Sequence, residues 1–427
     1  MIHFNSRRIF FFLLFLPLAL HAAEKKLTDE AQHIFSQKQS QVFQIRVIDL
    51  ASGKKNSTGS GFVFSPQGHI ATNYHVISEA YQDPSRFRIE YVKEDGAVVD
   101  ASLVDIDVVH DLAVLKSEEE FKGYFQLGEG AVSKGTQIFS LGNPYDLGMT
   151  IIEGTYNGLM EKSLYRKILF SGSLNSGMSG GPAVNHDSQI IGVNVATMGN
   201  QVSFLVPVEF LKAIYDRILT RSSAPFNDRH KYIESQLVDY QNEYLNKLNS
   251  SSWDTLPFGE ALVPGEISRA MKCWGRSYDK DENLFSKTFL SCSTEDEIFI
   301  SPELTTGKIN FQYSWLKSKG LNPLRFYNLY QRYFNNPYEF NNAEDKEEMG
   351  NFICHPGFVK IDGQNWKMSM CARNYKKYPQ LYDLSLVLAS LNAWDTGLVV
   401  DVKALGLTRP LVEDFLKKFL GEIKWQK

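Results

Sequence analysis

The first half of the chain consists of short runs of β-branched and aromatic residues separated by turns that contain glycine or proline, and this pattern constrains the fold most strongly. Runs of this kind, repeated at short intervals, indicate an all-β barrel or sandwich. The stretch Pro207–Leu219 follows with apolar residues at helical spacing, and we expect it to close this part of the chain as a helix. The predicted strands are Val42–Leu50, Ser60–Ser65, His69–Thr72, Val104–Asp107, Leu112–Leu115, Thr136–Leu141, Ile190–Val195 and Val202–Pro207.

The sequence changes character near residue 221, which indicates a second domain. At ~150 residues per domain, a chain of 427 residues has room for two or three domains. The segment Arg221–Arg229 is polar, contains proline and predicts a linker. After it, helical and strand patterns are mixed. Leu398–Leu405 alternates like a strand, and Thr408 can cap a helix that has Pro410 in its first turn. We therefore predict an α+β domain in this half, and we expect it to fold independently.

The N-terminus predicts an export signal over residues 1–23. Arg7 and Arg8 precede the apolar run Ile9–Leu20, which is too short to span a bilayer comfortably. Small residues follow, but the cleavage motif is imperfect, so an uncleaved anchor stays open as an alternative. No other stretch approaches a transmembrane span, and we expect no stable membrane span after signal cleavage.

The cysteines and the charge balance restrict the classes of site and partner. All four cysteines lie in the C-terminal half, and an even number in an exported chain suggests two disulfides. Three pairings are open. We favour the local pairs Cys273–Cys292 and Cys354–Cys371, with buried free thiols as the alternative. The chain has no CxxC motif, which argues against a zinc or thiol-redox site. Its net charge of −4 gives no basic excess for nucleic acid or anionic lipid.

Three segments of the first half carry the residue types that nucleophilic catalysis needs. A serine hydroxyl is a weak nucleophile and requires a neighbouring base, for which a histidine oriented by a carboxylate is suited. Ser179 lies among glycines, His75 follows two predicted strands, and Asp111 directly precedes an apolar strand. The glycines let the N–H groups of Gly177 and Ser179 face a developing oxyanion. The segments are Gly59–Ile77, Asp105–Lys116 and Leu174–Pro182.

The motifs around these residues resemble those of the HtrA-type serine proteases, which have the chymotrypsin-like fold. TNYHV around His75 is similar to the family pattern TNxHV, HDLAVLK around Asp111 resembles its aspartate strand, and SGMSGGP around Ser179 resembles GNSGGP. The stretch Ile138–Gly158 also resembles the family. The resemblance covers roughly residues 57–215 and four motifs in order, which is more specific than one motif. It implies an exported serine endopeptidase that acts on polypeptide substrates and needs no metal or organic cofactor.

The predicted fold is multi-domain, with an all-β chymotrypsin-like double β-barrel followed by an α+β C-terminal domain. No PDZ-like segment is recognisable after the protease region. Met178 stands where the family usually has asparagine. The predicted segments are an export signal at 1–23, an N-terminal segment at 24–42, a trypsin-like serine protease domain at 43–220, a linker and helix at 221–250, and the C-terminal domain at 251–427.

The resemblance also implies roles for single residues. Ser179 is expected to be the nucleophile, His75 the general base and acid, and Asp111 the orienting carboxylate, with the N–H groups of Gly177 and Ser179 forming the oxyanion hole. Ser173 stands where a trypsin-like protease would place an aspartate, which implies small to medium aliphatic side chains at the cleaved residue. In the alternative interpretation, loop lengths shift this alignment and Ser173 is structural. The residues predicted to bind substrate are Ser173, Asn194, Val195 and Ser203.

Several alternatives stay open at this stage. GMSGG also fits the nucleophile elbow of an α/β-hydrolase esterase, but that fold places a helix after the serine and its aspartate and histidine later in the chain. Asp105 and Asp107 compete with Asp111 as the orienting acid, and we interpret them as a solvated strand edge. A different class of function is a partner-binding protein with a latent or inactive protease domain. The aromatic run Arg325–Phe340 is interpreted as a helix that packs in the core.

Overall fold

A computed structural model of the protein describes residues 27–129, 132–199, 201–335, 347–391 and 393–426. The export signal that the sequence predicts over residues 1–23 lies outside these ranges. Among the helices of the described residues, none is both long enough and apolar enough to cross a membrane.

The first sheet is a curled antiparallel sheet of seven strands. Its strands are β1 (Val42–Asp49), β2 (Lys54–Val63), β3 (His69–Thr72), β4 (Phe87–Val92), β5 (Val98–Asp100), β6 (Ser102–Asp107) and β7 (Leu112–Lys116), with helices α1 (Leu27–Lys38) and α2 (Tyr74–Gln82) against it. The strand order is β5-β4-β1-β2-β3-β7-β6. The two edge strands β5 and β6 are consecutive in the chain, with Ala101 alone between them. The Ala101 N–H still donates to the Ile89 carbonyl of β4 at 3.0 Å.

The second sheet is a closed antiparallel barrel. Its strands are β8 (Gln137–Gly142), β9 (Thr150–Leu159), β10 (Ile168–Phe170), β11 (Pro182–Val184), β12 (Ile190–Gly199) and β13 (Val202–Pro207), and α3 (Val208–Thr220) follows. The order around the barrel is β10-β13-β12-β11-β8-β9. The sequence predicts two barrels. In the structure the second sheet is a closed barrel, whereas the first sheet is open. Its two edge strands, β5 and β6, are connected by the chain at Ala101 but do not pair with each other.

A shared apolar core joins the two sheets. Phe62 and Val114 of the first sheet pack in one buried cluster with Leu141 and Val193 of the barrel. Ile34 of α1 belongs to the same cluster and is 1% exposed, so the short N-terminal helix packs on the protease region. Each predicted strand of this half overlaps an observed one, because runs of β-branched and aromatic residues between turns suit strands that are buried on both faces.

The C-terminal region is an antiparallel sheet with helices on both faces. Its helices are α4 (Arg229–Ser250), α5 (Pro323–Asn335) and α6 (Arg409–Gly421). Its strands are β14 (Thr255–Phe258), β15 (Ala261–Pro264), β16 (Met271–Tyr278), β17 (Phe285–Thr294), β18 (Ile298–Ser301), β19 (Leu304–Thr306), β20 (Ile309–Ser318), β21 (Ile353–Ile361), β22 (Gln364–Asn374), β23 (Tyr382–Ser390), β24 (Thr396–Leu407) and β25 (Lys424–Trp425). Seven of them form one sheet in the order β16-β17-β20-β24-β23-β22-β21, and β18 pairs only with β19.

The two predicted helices of this region pack as expected, with two differences. Phe415 and Phe419 of α6 are fully buried in the sheet core. Thr408 is the N-cap residue of α6, but its side chain makes no capping hydrogen bond. Phe326 of α5 is fully buried, whereas Tyr327 is 48% exposed because the next residue on a helix points away from the packed face. Residues 336–340 of the aromatic run lie outside the described residues.

Both disulfides join an edge strand of the large sheet to its inner neighbour. Cys273 of β16 is bonded to Cys292 of β17, and Cys354 of β21 is bonded to Cys371 of β22. This is the local pairing that the sequence favours. Edge strands are held by hydrogen bonds on one side only, so a covalent bond at each edge protects the part of the sheet that is least restrained.

The protease region and the C-terminal region are packed together rather than loosely connected. Ile233 and Leu237 of α4 are buried with the first sheet, whereas Leu245 and Leu248 are buried with the large C-terminal sheet. The segment predicted as a linker is tied down as well, since Arg221 binds a buried carboxylate of the protease region. This differs from the expectation of an independently folding C-terminal domain, because a common apolar cluster crosses the boundary.

Removing one disulfide should destabilise the C-terminal region. The bonds close loops with sequence separations of 19 and 17 residues, and loops of this size contribute about 3 kcal/mol in the chain-entropy model. We expect Cys273→Ala/Cys292→Ala and Cys354→Ala/Cys371→Ala each to lower the free energy of unfolding by about this amount. All six tryptophans follow residue 221, so urea unfolding followed by tryptophan fluorescence reports on this region.

A reductant provides the control for this measurement. It should destabilise the wild type and have no effect on a variant that lacks all four cysteines. Equal unfolding midpoints in the wild type and in both double variants would contradict the prediction that the disulfides stabilise the C-terminal region.

Candidate active site

His75 and Asp111 form the central contact of the site. His75 is the second residue of α2, and Asp111 lies in the turn between β6 and β7 with φ of 55°, a conformation that aspartate tolerates better than most residues. The His75 Nδ1 atom lies 2.6 Å from Asp111 Oδ2, and the His75 backbone N–H donates to Oδ1 at 2.8 Å. The Asp111 carbonyl accepts from the Asn73 side chain at 2.8 Å and from the Tyr74 N–H at 3.2 Å. One of these four hydrogen bonds holds the imidazole itself, and the other three hold the start of α2 against the Asp111 turn.

The electrostatic environment prepares His75 to accept a proton. Burial acts to lower the pKa of His75, but the charge and the hydrogen bond of Asp111 outweigh burial and raise the pKa above its ordinary value. The side chain remains 31% exposed, so the ring can be reached from outside. Because Asp111 accepts the Nδ1 proton, the Nε2 lone pair is left for proton transfer.

Ser179 lies in the loop between β10 and β11, which is pressed against the first sheet. Gly177 has φ of 94° and Gly180 has φ of 86°, in the left-handed region that favours glycine. A Cβ on Gly180 would lie 2.2 Å from the Ser60 carbonyl oxygen, and one on Gly177 would lie 2.5 Å from the Asn143 carbonyl oxygen. Glycine is therefore required at both positions, because the backbone has a positive φ and because a side chain would collide with a nearby carbonyl oxygen.

The N–H groups of Gly177 and Ser179 point away from the protein interior. The C=O and N–H of one planar peptide unit point in opposite directions. The carbonyl that shares a peptide unit with the Gly177 N–H accepts from the Tyr145 N–H at 2.8 Å. The Met178 carbonyl, which shares a unit with the Ser179 N–H, accepts from the Asn194 side chain at 3.2 Å. In the described part of the chain neither N–H has an acceptor, so both are available to an oxyanion.

The Ser179 hydroxyl is hydrogen-bonded to the backbone. It donates to the Val195 carbonyl of β12 at 3.2 Å, and among the hydrogen bonds of the described residues none joins it to His75. The bond to Val195 must break before the hydroxyl can give its proton to His75. Met178, the departure from the family pattern, is fully buried in the barrel core with Phe170, and it anchors the loop from behind.

Ser60 is a contributor to the site that the sequence analysis missed. Its hydroxyl donates to the Gly177 carbonyl at 2.7 Å and accepts from the Asn143 N–H at 2.9 Å, and its own N–H donates to the Ser179 carbonyl at 2.7 Å. It therefore fastens the serine loop to β2. The sequence does contain a signal for this role. Ser60 stands between two glycines next to an apolar strand segment, where a serine side chain adds little to packing.

The four residues predicted to bind substrate lie in different environments. Ser173 is exposed. Asn194 and Ser203 are fully buried, and the Ser203 hydroxyl donates to the Gly172 carbonyl at 2.7 Å. Their side chains are therefore held in hydrogen bonds inside the barrel and are not free to bind a ligand. Val195 offers its backbone carbonyl, which accepts from the Ser179 hydroxyl. Within the described residues, no group of three His, Cys, Asp or Glu side chains is arranged to hold a metal ion.

The two competing aspartates have other partners. Asp105 is fully buried and binds Arg217 at 3.2 Å and the Tyr232 hydroxyl at 2.7 Å. Asp107 binds His110 at 2.8 Å. The interpretation of these residues as a solvated strand edge is wrong, because α3 and α4 supply Asp105 with cationic and hydroxyl partners and His110 of the following turn covers Asp107. Neither carboxylate is bonded to the imidazole of the candidate base.

Part of the chain is similar to known proteases. A family model described as a trypsin-like peptidase domain matches residues 59–193. Protease Do-like 5, chloroplastic, of Arabidopsis thaliana is 34% identical over 185 residues, which cover 38% of this chain and 57% of that protein. Putative serine protease HhoB of Synechocystis sp. is 27% identical over 225 residues, which cover 50% of this chain and 51% of that protein. Residues 59–193 are similar to the trypsin-like peptidase domains of these proteases, and this part of the chain is called the HtrA-type domain for that similarity.

Other relatives share the HtrA-type domain. Probable periplasmic serine endoprotease DegP-like of Chlamydia pneumoniae is 29% identical over 177 residues, which cover 39% of this chain and 35% of that protein. The crystal structure of Deg5 is 30% identical and has a TM-score of 0.39, with 44% of this chain and 93% of that chain covered. The chain spans about half the length of the first two curated relatives.

Replacing Ser60 should impair the serine loop of the HtrA-type domain without loss of the fold. Ser60→Ala leaves the Gly177 carbonyl and the Asn143 N–H without their shared partner. A hydrogen bond of this kind contributes about 1 kcal/mol, so we expect kcat on a peptide substrate to fall about fivefold, with little change in KM. Ser57→Ala, on the same strand, is the matched control. A rise in KM with constant kcat would contradict a positioning role for Ser60.

The pH dependence should reveal the Asp111 contribution to the HtrA-type domain. His75 must be neutral to accept a proton, so activity is lost as the pH falls through its pKa, which Asp111 raises. Asp111→Asn removes that effect and leaves burial, which lowers the pKa. We expect the acid limb of kcat/KM to move to lower pH and kcat to fall by roughly three to four orders of magnitude. Asp107→Asn is the control and should leave the acid limb in place.

Proposed function

We propose that the protein is an exported serine endopeptidase that hydrolyses peptide bonds of unfolded or loosely folded polypeptides. The observation that carries this proposal is the 2.6 Å contact between His75 Nδ1 and Asp111 Oδ2 beside the Ser179 loop, in which the N–H groups of Gly177 and Ser179 have no acceptor among the described residues. The relatives, which are named as serine proteases, support the same activity.

The proposed reaction follows from the positions of these groups. Ser179 first rotates from the Val195 carbonyl toward His75. Its Oγ attacks the scissile carbonyl carbon while His75 Nε2 takes the hydroxyl proton, and the N–H groups of Gly177 and Ser179 stabilise the oxyanion. His75 then gives the proton to the leaving amine as the C–N bond breaks. Water, deprotonated by the same imidazole, hydrolyses the acyl-enzyme. Asp111 stabilises the imidazolium throughout, and no step requires a metal or an organic cofactor.

The proposed substrate lies extended beside β12, where backbone groups can pair with it. The cleaved residue is proposed to be small to medium and aliphatic, because no carboxylate stands at Ser173 to receive a cation. An extended peptide must leave its own fold to reach such a strand, which favours unfolded chains over compact ones.

Export is supported by the disulfides and by the relatives. Disulfides form and persist in oxidising compartments such as the bacterial periplasm, and two join the C-terminal strands. The Chlamydia relative is named as a periplasmic endoprotease. Together with the predicted signal at residues 1–23, these observations support a location in the periplasm or outside the cell.

Labelling with a fluorophosphonate probe tests the proposal on the full chain. The probe forms a covalent bond only with a serine activated by a base and an oxyanion site. We expect the wild type to be labelled, Ser179→Ala to be unlabelled, and Ser176→Ala, an exposed serine of the same loop, to be labelled like the wild type. Wild type that stays unlabelled, also in the presence of unfolded protein, would contradict the proposal and favour a partner-binding function of the C-terminal region.

A further inference from the structure

The hairpin formed by β18 and β19 belongs to the C-terminal region but lies at the candidate active site. It is inserted between β17 and β20, which are neighbours in the large sheet. Its residues Ile298, Ile300 and Leu304 are exposed by 2% or less, and they pack in one cluster with Tyr74 and Ile77 of α2. The hairpin therefore completes the apolar core around the helix that carries His75.

Two hydrogen bonds from α2 fix the hairpin along that helix. The Ile300 carbonyl accepts from the Tyr74 hydroxyl at 2.9 Å and from the Gln82 side chain at 2.8 Å. Burial raises the pKa of Tyr74, so its hydroxyl stays protonated and continues to donate. The two donors stand at the first and last residues of α2, so the hairpin is held over the length of the helix.

A second set of bonds fixes the hairpin to the barrel. Asp296, just before β18, is 7% exposed. Its carboxylate accepts from the Ser163 hydroxyl at 2.6 Å, from the Leu164 N–H at 2.8 Å and from Lys167 Nζ at 2.6 Å. These three donors lie between β9 and β10 of the barrel. The hairpin thus bridges the two halves of the HtrA-type domain, and a buried ion pair with Lys167 resists its removal.

Phe299 is the hairpin residue that faces His75. Successive side chains of a strand point to opposite faces, so Phe299 projects away from its buried neighbours Ile298 and Ile300. Its ring lies edge-to-face on the His75 ring, with centroids 6.2 Å apart, and on the Tyr74 ring, with centroids 6.3 Å apart. Phe299 is only partly buried, so an apolar surface borders the exposed part of the imidazole.

We propose that Phe299 is a specificity-determining residue that forms the apolar wall of the subsite for the substrate side chain lying against His75. The inference rests on the proposed function. A scissile carbonyl must lie within reach of both Ser179 and His75, so a neighbouring substrate residue passes the imidazole. A side chain that touches this ring also meets Phe299. Aliphatic and aromatic side chains gain by burying apolar area there, whereas a charged side chain loses hydration.

The experiment measures kcat/KM of the full chain on a set of peptides. The residues that flank the scissile bond are varied one position at a time. We expect wild type to prefer large apolar residues at one flanking position. Phe299→Ala should lower kcat/KM about tenfold for peptides with such a residue there, and should affect peptides with alanine or serine at that position far less. Phe299→Leu keeps an apolar wall and should restore most of the preference.

Phe358→Ala is the matched control. Phe358 is a phenylalanine of the same region on the edge strand β21 and is 77% exposed, and its variant should keep the wild-type profile. An unchanged profile in Phe299→Ala overturns the inference. Equal acceleration of all peptides by Phe299→Ala also overturns it, because the hairpin would then obstruct the cleft. Wild type that neither cleaves peptides nor reacts with the fluorophosphonate defeats the proposed function itself, and the two failures are therefore distinguishable.

Discussion

The contact between β2 and the serine loop is the constraint on which the site depends. Nucleophile and base come from different sheets, so their relative position is only as well defined as the junction between those sheets. At this junction Gly180 approaches the Ser60 carbonyl so closely that no side chain fits, and Ser60 bonds to both sides of Ser179. Because the carbonyls of the loop are bound inward, its N–H groups are directed outward. One packing contact thus sets both the position of the nucleophile and the direction of the oxyanion donors.

The second requirement is a histidine whose basicity is set by two opposing effects. Burial alone would lower the pKa of His75 and make it a weak base. Without a partner, an exposed ring would have no fixed orientation. Asp111 counters the effect of burial on the pKa, and its carboxylate binds both the ring Nδ1 and the backbone N–H of His75. The unusual φ of Asp111 is a cost of about 1 kcal/mol or more that this arrangement must offset. The four bonds between this turn and the start of α2 supply that stabilisation.

The sequence predicts what depends on local pattern and fails where a distant element decides. Strand positions in the first half followed from β-branched and aromatic runs bounded by turns, and the cysteine pairing followed from spacing along the chain. The glycine-flanked Ser179 and the strand-entering Asp111 could be picked out because their chemistry leaves local motifs. Asp105 was misinterpreted because its partners come from α3 and α4, more than a hundred residues away. Ser60 and Phe299 share this property, since nothing near them in the chain indicates the loop or ring that they contact.

The hairpin makes the C-terminal region a structural part of the HtrA-type domain, because it packs on the helix that carries His75. Tyr74 and Tyr81 of α2 are fully buried only because the hairpin and α4 cover them. A chain that ended before α4 would expose these rings and would leave the Tyr74 hydroxyl without its acceptor. The helix that positions His75 would then lose one side of its packing. The geometry around His75 in the first half therefore depends on the folding of the second half.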